Sequence, residues 1–335
     1  MIRVGVVNAT GYIGAELLRL LLRHPQVKIA SITGRSAVGR KIGEVFPHLA
    51  SLDLRLEEEL GEVDLAFFAL PHGASIEPVR RALERGIRVV DLSADYRLKE
   101  AAEYERWYGV KHPYPELLKE AVYGLSEIRR EEIRKARLVA NPGCYPTGAI
   151  LSLLPALKMG LVEADLVIDA KSGVSGAGRT LSLQSHFPEA NEGISAYAIG
   201  GHRHLPEIEQ ELGRLAPVSV TFLPHLVPMN RGILTSCYAK LKEEVSDEEV
   251  RRLYREFYEG EKFVRVVDFP PQTKHVRGSN LCLIHPAVDR RTRRLLVISC
   301  IDNLVKGGAG QAIQNMNIMM GFPEDMGLDL PPLYP

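Results

Sequence analysis

At 335 residues, 45% hydrophobic and 25% charged, the chain is long enough for two cores rather than one. Lys plus Arg and Asp plus Glu balance at 42 each, so no overall field draws it to nucleic acid or to an anionic membrane surface. The four cysteines, Cys144, Cys237, Cys282 and Cys300, show no metal-site spacing, and neither a charged apolar leader nor a bilayer-length apolar run is present; a cytoplasmic chain without a metal is expected.

Ile2 to Val7 reads as a buried strand that runs through Asn8 to Gly14 into an apolar-periodic helix, Ala15 to Leu22. A strand, a glycine-bearing turn and a helix are what a dinucleotide fold uses to set a pyrophosphate against helix N–H groups, here at Gly11, Tyr12, Ile13 and Gly14. The glycines fall at 5, 11 and 14 with Asn8 where another would be expected, so the motif is irregular and a tight turn without ligand is the alternative. A second strand, Val27 to Thr33, ends without the acid that would face an adenosine ribose. Thr33, Arg35 and Ser36 supply phosphate donors instead, which favours NADP over NAD; a solvated loop arginine is the competing reading.

Strands at Val63 to Leu70 and Ile87 to Leu92 flank a helix, Ile76 to Arg85. Their carboxyl ends carry Pro71-His72-Gly73 and Ser93 to Arg97, where open α/β sheets collect ligands. Pro71 is assigned to the cofactor, His72 to closing a turn, and Arg97 to clamping an oxyanion, with an ion pair to Asp91 or Asp95 as its rival. Leu98 to Glu116, charged and aromatic, is expected on the surface.

Leu138 to Leu151 centres the chain, because Cys144 stands at the start of a helix. Unpaired N–H groups and the positive helix end favour a thiolate there, against the bland reading of a small buried hydrophobe. Beyond it strands dominate: Asp165 to Ala170, Val218 to Leu223, Ile233 to Leu241, Phe263 to Val267, Asn280 to His285 and Leu295 to Ile301, with a helix from Asp247 to Tyr258. Such a run argues a separate α+β domain, one sheet face covered and the other open to subunit contact. Asp302 to Gly310 then turns into a last helix, Gln311 to Met320.

Two loops gather chemistry. Lys171 to Arg179 offers three glycines, hydroxyls and two cations to an anion, and lacks the closing residues of a P-loop. Gly200 to Glu207 holds His202, Arg203 and His204 just before a helix, a place for a base that takes a proton from a cysteine; metal binding is the weaker rival. Together these stretches describe Cys144 attacking an activated carbonyl, an acyl phosphate by preference, with hydride following from a nicotinamide.

NPGCYPT at 141–147, KSGVSGAGR at 171–179 and GHRHLPEI at 201–208, collinear with the rest, make the chain resemble the N-acetyl-γ-glutamyl-phosphate reductase family of arginine biosynthesis. The resemblance implies NADPH-dependent reductive dephosphorylation of N-acetylglutamyl 5-phosphate to the semialdehyde, with Cys144 as the thioester-forming nucleophile. It also implies kinship with aspartate-semialdehyde dehydrogenase and the glyceraldehyde-phosphate dehydrogenase fold. The family's histidine falls on His202 or His204, with a leaning to His204 nearer the helix start. Arg97 and Asn141 are candidates for phosphate, Lys171 and Arg179 for the substrate's carboxylate or phosphate, and Arg203 joins the substrate side; Ser172, Gly173 and Asn303 are assigned to the cofactor.

The expected architecture is α/β, with a Rossmann-type dinucleotide-binding domain of residues 1–143 and 304–335. A second, glyceraldehyde-phosphate-dehydrogenase-like α+β domain, 144–303, carries catalysis and oligomer contacts on a mixed, mostly antiparallel sheet. A homodimer or homotetramer acting on a small acyl phosphate is expected, without nucleic acid or membrane. A sister activity, reduction of aminoadipyl phosphate on a small acidic carrier protein, stays open, as does a non-catalytic NADP-binding sensor.

Overall fold

The computed structural model describes all 335 residues, Met1–Pro335. They divide into two compact units, Met1–Gly143 with Gly308–Leu330, and Cys144–Gly307 with Pro331–Pro335. Residues 304–307 and 331–335 therefore group with the second unit. No helix is long and apolar enough to cross a membrane.

The first unit alternates strands and helices: β1 (Ile2–Val7), α1 (Tyr12–Leu21), β2 (Val27–Ile32), the single turn α2 (Ile42–Val45), β3 (Leu65–Phe68), α3 (Ile76–Glu84) and β4 (Arg88–Asp91). There follow α4 (Ala101–Tyr108), α5 (Pro115–Glu120), β5 (Val122–Tyr123), α6 (Ser126–Lys135) and β6 (Leu138–Ala140). The sheet order is β2-β1-β3-β4-β6-β5, with every pairing parallel. Parallel strands are buried on both faces, which is why β3 reads as an unbroken apolar run, Leu65-Ala66-Phe67-Phe68, with no residue exposed. Because β2 and β3 flank β1, the order reverses there, and the crevice beyond the ends of β1 and β3 is where such sheets take ligands.

Leu98 to Glu116 lies mostly on the surface, as its charges suggest, but Leu98, Tyr104 and His112 turn inward. Tyr104 and His112 are buried, their rings pack edge-on 5.2 Å apart, and both rest against Tyr96 or its neighbours. Amphipathic aromatics here bury their rings while charged residues of the same helix face water.

The second unit opens with α7 (Cys144–Lys158) and β7 (Val162–Gly173), then α8 (Phe187–Ala190), β8 (Ser195–Ala196), α9 (Leu205–Leu212), β9 (Ser219–Val227) and β10 (Ile233–Leu241). It continues through α10 (Asp247–Phe257), β11 (Val264–Val266), β12 (Cys282–Asp289) and β13 (Arg294–Ile301). Its sheet runs β11-β12-β13-β10-β7-β9-β8, antiparallel except at β11/β12 and β7/β9. Helix α7, buried from Tyr145 to Leu157, packs on β7, β10 and β13. The strands alternate accordingly: Ile168, Ala170 and Ser172 are buried while Asp169 and Lys171 lie half-exposed on the other face.

A π-helical turn, Val305–Ala309, leads into α11 (Gly310–Met320), which packs in the first unit against α6 and α1. A buried amide relay fastens it there. Asn315 Nδ2 donates to the Gly124 carbonyl (2.7 Å) and to Asn141 Oδ1 (3.0 Å), while Gln311 Nε2 donates to Ser126 Oγ (2.7 Å).

Candidate active site

In the first unit the β1–α1 turn supplies an anion cradle. Asn8 takes φ 64°, a left-handed conformation that Asn tolerates better than most residues, so it stands in for the missing glycine. Its Nδ2 donates to the Ala69 carbonyl (2.7 Å), bracing the turn against the end of β3 at the point where the strand order reverses. A Cβ at Gly14 would meet the Asn8 carbonyl oxygen and Ala9 Cα at 2.6 Å, so only glycine lets the helix pass this close to β1. At Gly11 a Cβ would find nothing nearer than 3.7 Å, and α1 starts there with no capping side chain and no acid in its first turn. Uncapped N–H groups over an open glycine fit a pyrophosphate.

At the end of β2 the Thr33 hydroxyl is buried and accepts from the Asn8 N–H (3.2 Å), so it stabilises the turn, whereas Arg35 and Ser36 are exposed. The neighbouring carboxylate, Glu57, accepts from Ser31 Oγ (2.7 Å). No acid therefore takes the ribose position, and an arginine and a hydroxyl are left for a phosphate; the donor set fits NADP.

Arg97 and Asn141 are brought together, and both are buried: Arg97 Nε donates to the Asn141 carbonyl (2.8 Å) and Nη2 to that of Leu92 (3.0 Å). The guanidinium thus spans the ends of β4 and β6. Asn141 Nδ2 donates to the Gly308 carbonyl (3.2 Å). Pro71 lies exposed on the loop after β3, whose Gly73 N–H donates to the buried Asp95 (2.7 Å).

In the second unit Cys144 is the first residue of α7 and the one partly exposed cysteine of the four. Burial pushes the thiols of Cys237 and Cys300 up to about 12, so neither ionises near neutrality. An aromatic and imidazole cluster surrounds the next residue, Tyr145. Its ring meets those of His202 at 5.5 Å, His204 at 5.9 Å and Phe222 at 5.4 Å, each edge to face. Tyr197 stands edge-on to His202 at 5.4 Å, and its hydroxyl donates to Tyr145 Oη (3.2 Å), which donates to the His225 carbonyl (3.1 Å). Burial raises both phenols, that of Tyr197 to about 12, so both remain neutral donors.

The two histidines differ. The backbone N–H of His204 donates to His202 Nδ1 (3.1 Å), which fixes neutral His202 with its proton on Nε2. His204, capping α9, is not committed by that bond to either tautomer.

Other expected residues scatter. Lys171 pairs with Asp169 Oδ2 (2.7 Å) on the sheet face opposite Tyr145 and the buried Ser172, so strand alternation turns this cation away from the cysteine. Arg179 and Arg203 are exposed on loops. Asn303 spends both ends of its amide inside the protein, accepting from the Gly232 N–H (2.8 Å) and donating to Ser175 Oγ (2.9 Å), and so shapes the turn that follows Gly173. The sequence alone did not single out Tyr145 or Phe222, and of the two only Tyr145 carried a signal, an aromatic directly after the candidate nucleophile.

Comparison with known proteins accounts for this arrangement. Residues 3–136 match the family described as semialdehyde dehydrogenase, NAD binding domain, and 144–303 the semialdehyde dehydrogenase, dimerisation domain. The N-acetyl-γ-glutamyl-phosphate reductase of Dehalococcoides mccartyi is 58% identical over 97% of each chain. This chain belongs to the N-acetyl-γ-glutamyl-phosphate reductase family. The reductase of Geobacter metallireducens is 56% identical over the whole of both chains. Among solved structures, aspartate semialdehyde dehydrogenase II of Vibrio cholerae superposes with a TM-score of 0.75 at 17% identity, covering 96% of this chain and 99% of its own. That likeness bears on the fold alone.

Proposed function

We propose that the chain reduces N-acetyl-γ-glutamyl phosphate to N-acetylglutamate semialdehyde and phosphate with NADPH, through a thioester on Cys144, as a step of arginine biosynthesis. The observation that supports this most is the setting of Cys144: a partly exposed cysteine at the head of α7, followed directly by Tyr145, whose ring packs against two histidines and whose hydroxyl bonds to Tyr197, in a chain whose other cysteines are buried.

The Cys144 sulfur attacks the acyl carbon, the C–O bond to phosphate breaks, and phosphate leaves with the electron pair. The Gly11 to Gly14 turn, Arg35 and Ser36 would hold NADPH, which when bound would supply the hydride that reduces the thioester. His204 takes the thiol proton at the outset and returns a proton to the substrate oxygen as the hemithioacetal forms; loss of that proton as the C–S bond breaks releases aldehyde and thiolate. Tyr145 and Tyr197 keep water away from the thioester and orient the His202 ring, whose fixed tautomer leaves Nε2–H as a donor.

The neutral balance of charge favours a free small substrate over one carried on an acidic protein. The chain works as an oligomer through its second unit, in the reducing cytoplasm that Cys144 needs. The test is the reverse assay, semialdehyde plus phosphate plus NADP, run with acetylglutamate semialdehyde and with carrier-linked aminoadipate semialdehyde. Turnover with the first and not the second is expected; turnover confined to the second would overturn the substrate assignment.

A further inference from the structure

We propose that residues 181–199 form an arm covered by a second copy of this chain, and that this cover holds Tyr197 and His202 in place beside Tyr145. The proposal rests on the reductase reading above for what the site does, and on the arm's own composition and exposure for the contact.

Along this one segment Leu181 is 98% exposed, Leu183 74%, Phe187 75%, Ile194 70% and Ile199 75%. Five large apolar residues so exposed within one stretch of nineteen are more than a single soluble chain ordinarily leaves to water in one segment. The arm has no core of its own. Its regular structure is one 3₁₀ turn, Leu183–Ser185, the single turn α8 and the two-residue strand β8, none with a buried residue. Isolated turns of this length do not hold themselves together in water.

Its chemistry narrows the occupant. From Thr180 to Ile199 there is no Lys or Arg, while Glu189 and Glu192 carry negative charge. An anionic lipid surface, a nucleic acid or a small acidic carrier therefore finds no Lys or Arg on the arm to bind. A second copy is not, and the arm lies inside the stretch that matches a dimerisation family, 144–303. It is also continuous with a larger surface. Strand β8 ends the seven-stranded sheet with its outer edge unpaired, and the adjoining β9, β7, β10 and β13 carry half-exposed Leu223, Val167, Tyr238 and Leu296 on the face turned from α7. The arm then runs directly into the site: β8 is followed by Tyr197, whose hydroxyl reaches Tyr145, and by His202. Association and the order of the cysteine's surroundings are thereby one event.

The test compares wild type with Phe187→Glu/Ile194→Glu by sedimentation velocity, steady-state turnover and carboxymethylation of Cys144. Wild type should sediment as a dimer or larger, and the variant as a smaller species with turnover reduced at least tenfold and Cys144 still alkylated. A monomeric wild type, an unchanged variant mass, or dissociation with full turnover each overturns the proposal. Should the variant not fold, hydrogen exchange on wild type decides: amides of 181–195 should exchange at least tenfold more slowly than an unprotected segment, and unprotected rates overturn it. If wild type lacks reductase activity altogether, the reductase reading fails while mass and exchange still report on the arm.

Discussion

Gly307 lies against Cys144 so closely that a Cβ at 307 would stand 2.8 Å from the Cys144 Cβ and 3.2 Å from its Cα. The π-helical turn that carries Gly307 thus backs the nucleophile without room for a methyl group. Gly307→Ala should push the head of α7 aside. A loss of about 10- to 100-fold in kcat is expected, since small misplacements of a reacting group cost that much. Stopped assays with NADPH, alongside carboxymethylation rates of Cys144, read it; an alanine variant with wild-type rates would show that this contact positions nothing.

The bond from the His204 N–H to His202 Nδ1 separates the two imidazoles. In His202→Asn the amide oxygen can accept the same bond and preserve the turn, so turnover should fall less than tenfold, whereas His204→Asn removes the proton carrier and should lower kcat at least 100-fold. The pH profile distinguishes them further. The acidic limb should survive in His202→Asn and vanish in His204→Asn; the reverse pattern would transfer the role to His202.

Arg35 is the exposed cation where an NAD-type site would carry an acid. Arg35→Ala should raise the KM for NADPH at least tenfold while leaving that for NADH within about twofold. Equal effects on both cofactors would take Arg35 away from the phosphate.

Asp91, wholly buried, accepts from Ser93 Oγ (2.6 Å) and Ser75 Oγ (2.9 Å). Asp95 next to it is held by Tyr104 Oη (2.9 Å) and by the Gly73 and Ser75 N–H groups. Burial first, then the charge of Asp95, lifts the Asp91 carboxyl from its ordinary 3.8 to about 7. The folded chain then binds more protons than the unfolded chain between those values, so this group's contribution is full below 3.8 and is lost as pH rises through about 7. Melting temperatures should decline across that window in wild type and change less in Asp91→Asn. Parallel curves would show that Asp91 is already ionised when folded.

Much of the fold was legible because periodicity reports burial directly. The apolar runs at Val4 to Val7 and Leu65 to Phe68 marked buried strands, and alternation from Ile233 to Leu241 marked a sheet covered on one face. Cys144 was legible because its residue type and its place at a helix start pointed the same way. The direction of Lys171 was not legible, because a glycine-rich stretch with cations reads as a loop, while the strand register that orients it toward Asp169 extends to Gly173, three residues past the expected end. Tyr197 and Phe222 were invisible as site residues, since they reach Tyr145 from 52 and 77 positions away through sheet pairings that no local pattern encodes. The burial of Tyr104 and His112 was hidden by the charges that alternate with them on the same helix and loop.

The central claim is a covalent acyl group on one sulfur. The purified chain should be mixed with N-acetyl-γ-glutamyl phosphate in the absence of NADPH, quenched in acid and analysed by intact and peptide mass spectrometry, with released phosphate measured in parallel. One acetylglutamyl group per chain on the peptide bearing Cys144, matched by one phosphate and absent in Cys144→Ser, is the predicted result. Phosphate release without an adduct, or an adduct that persists in Cys144→Ser, would contradict it.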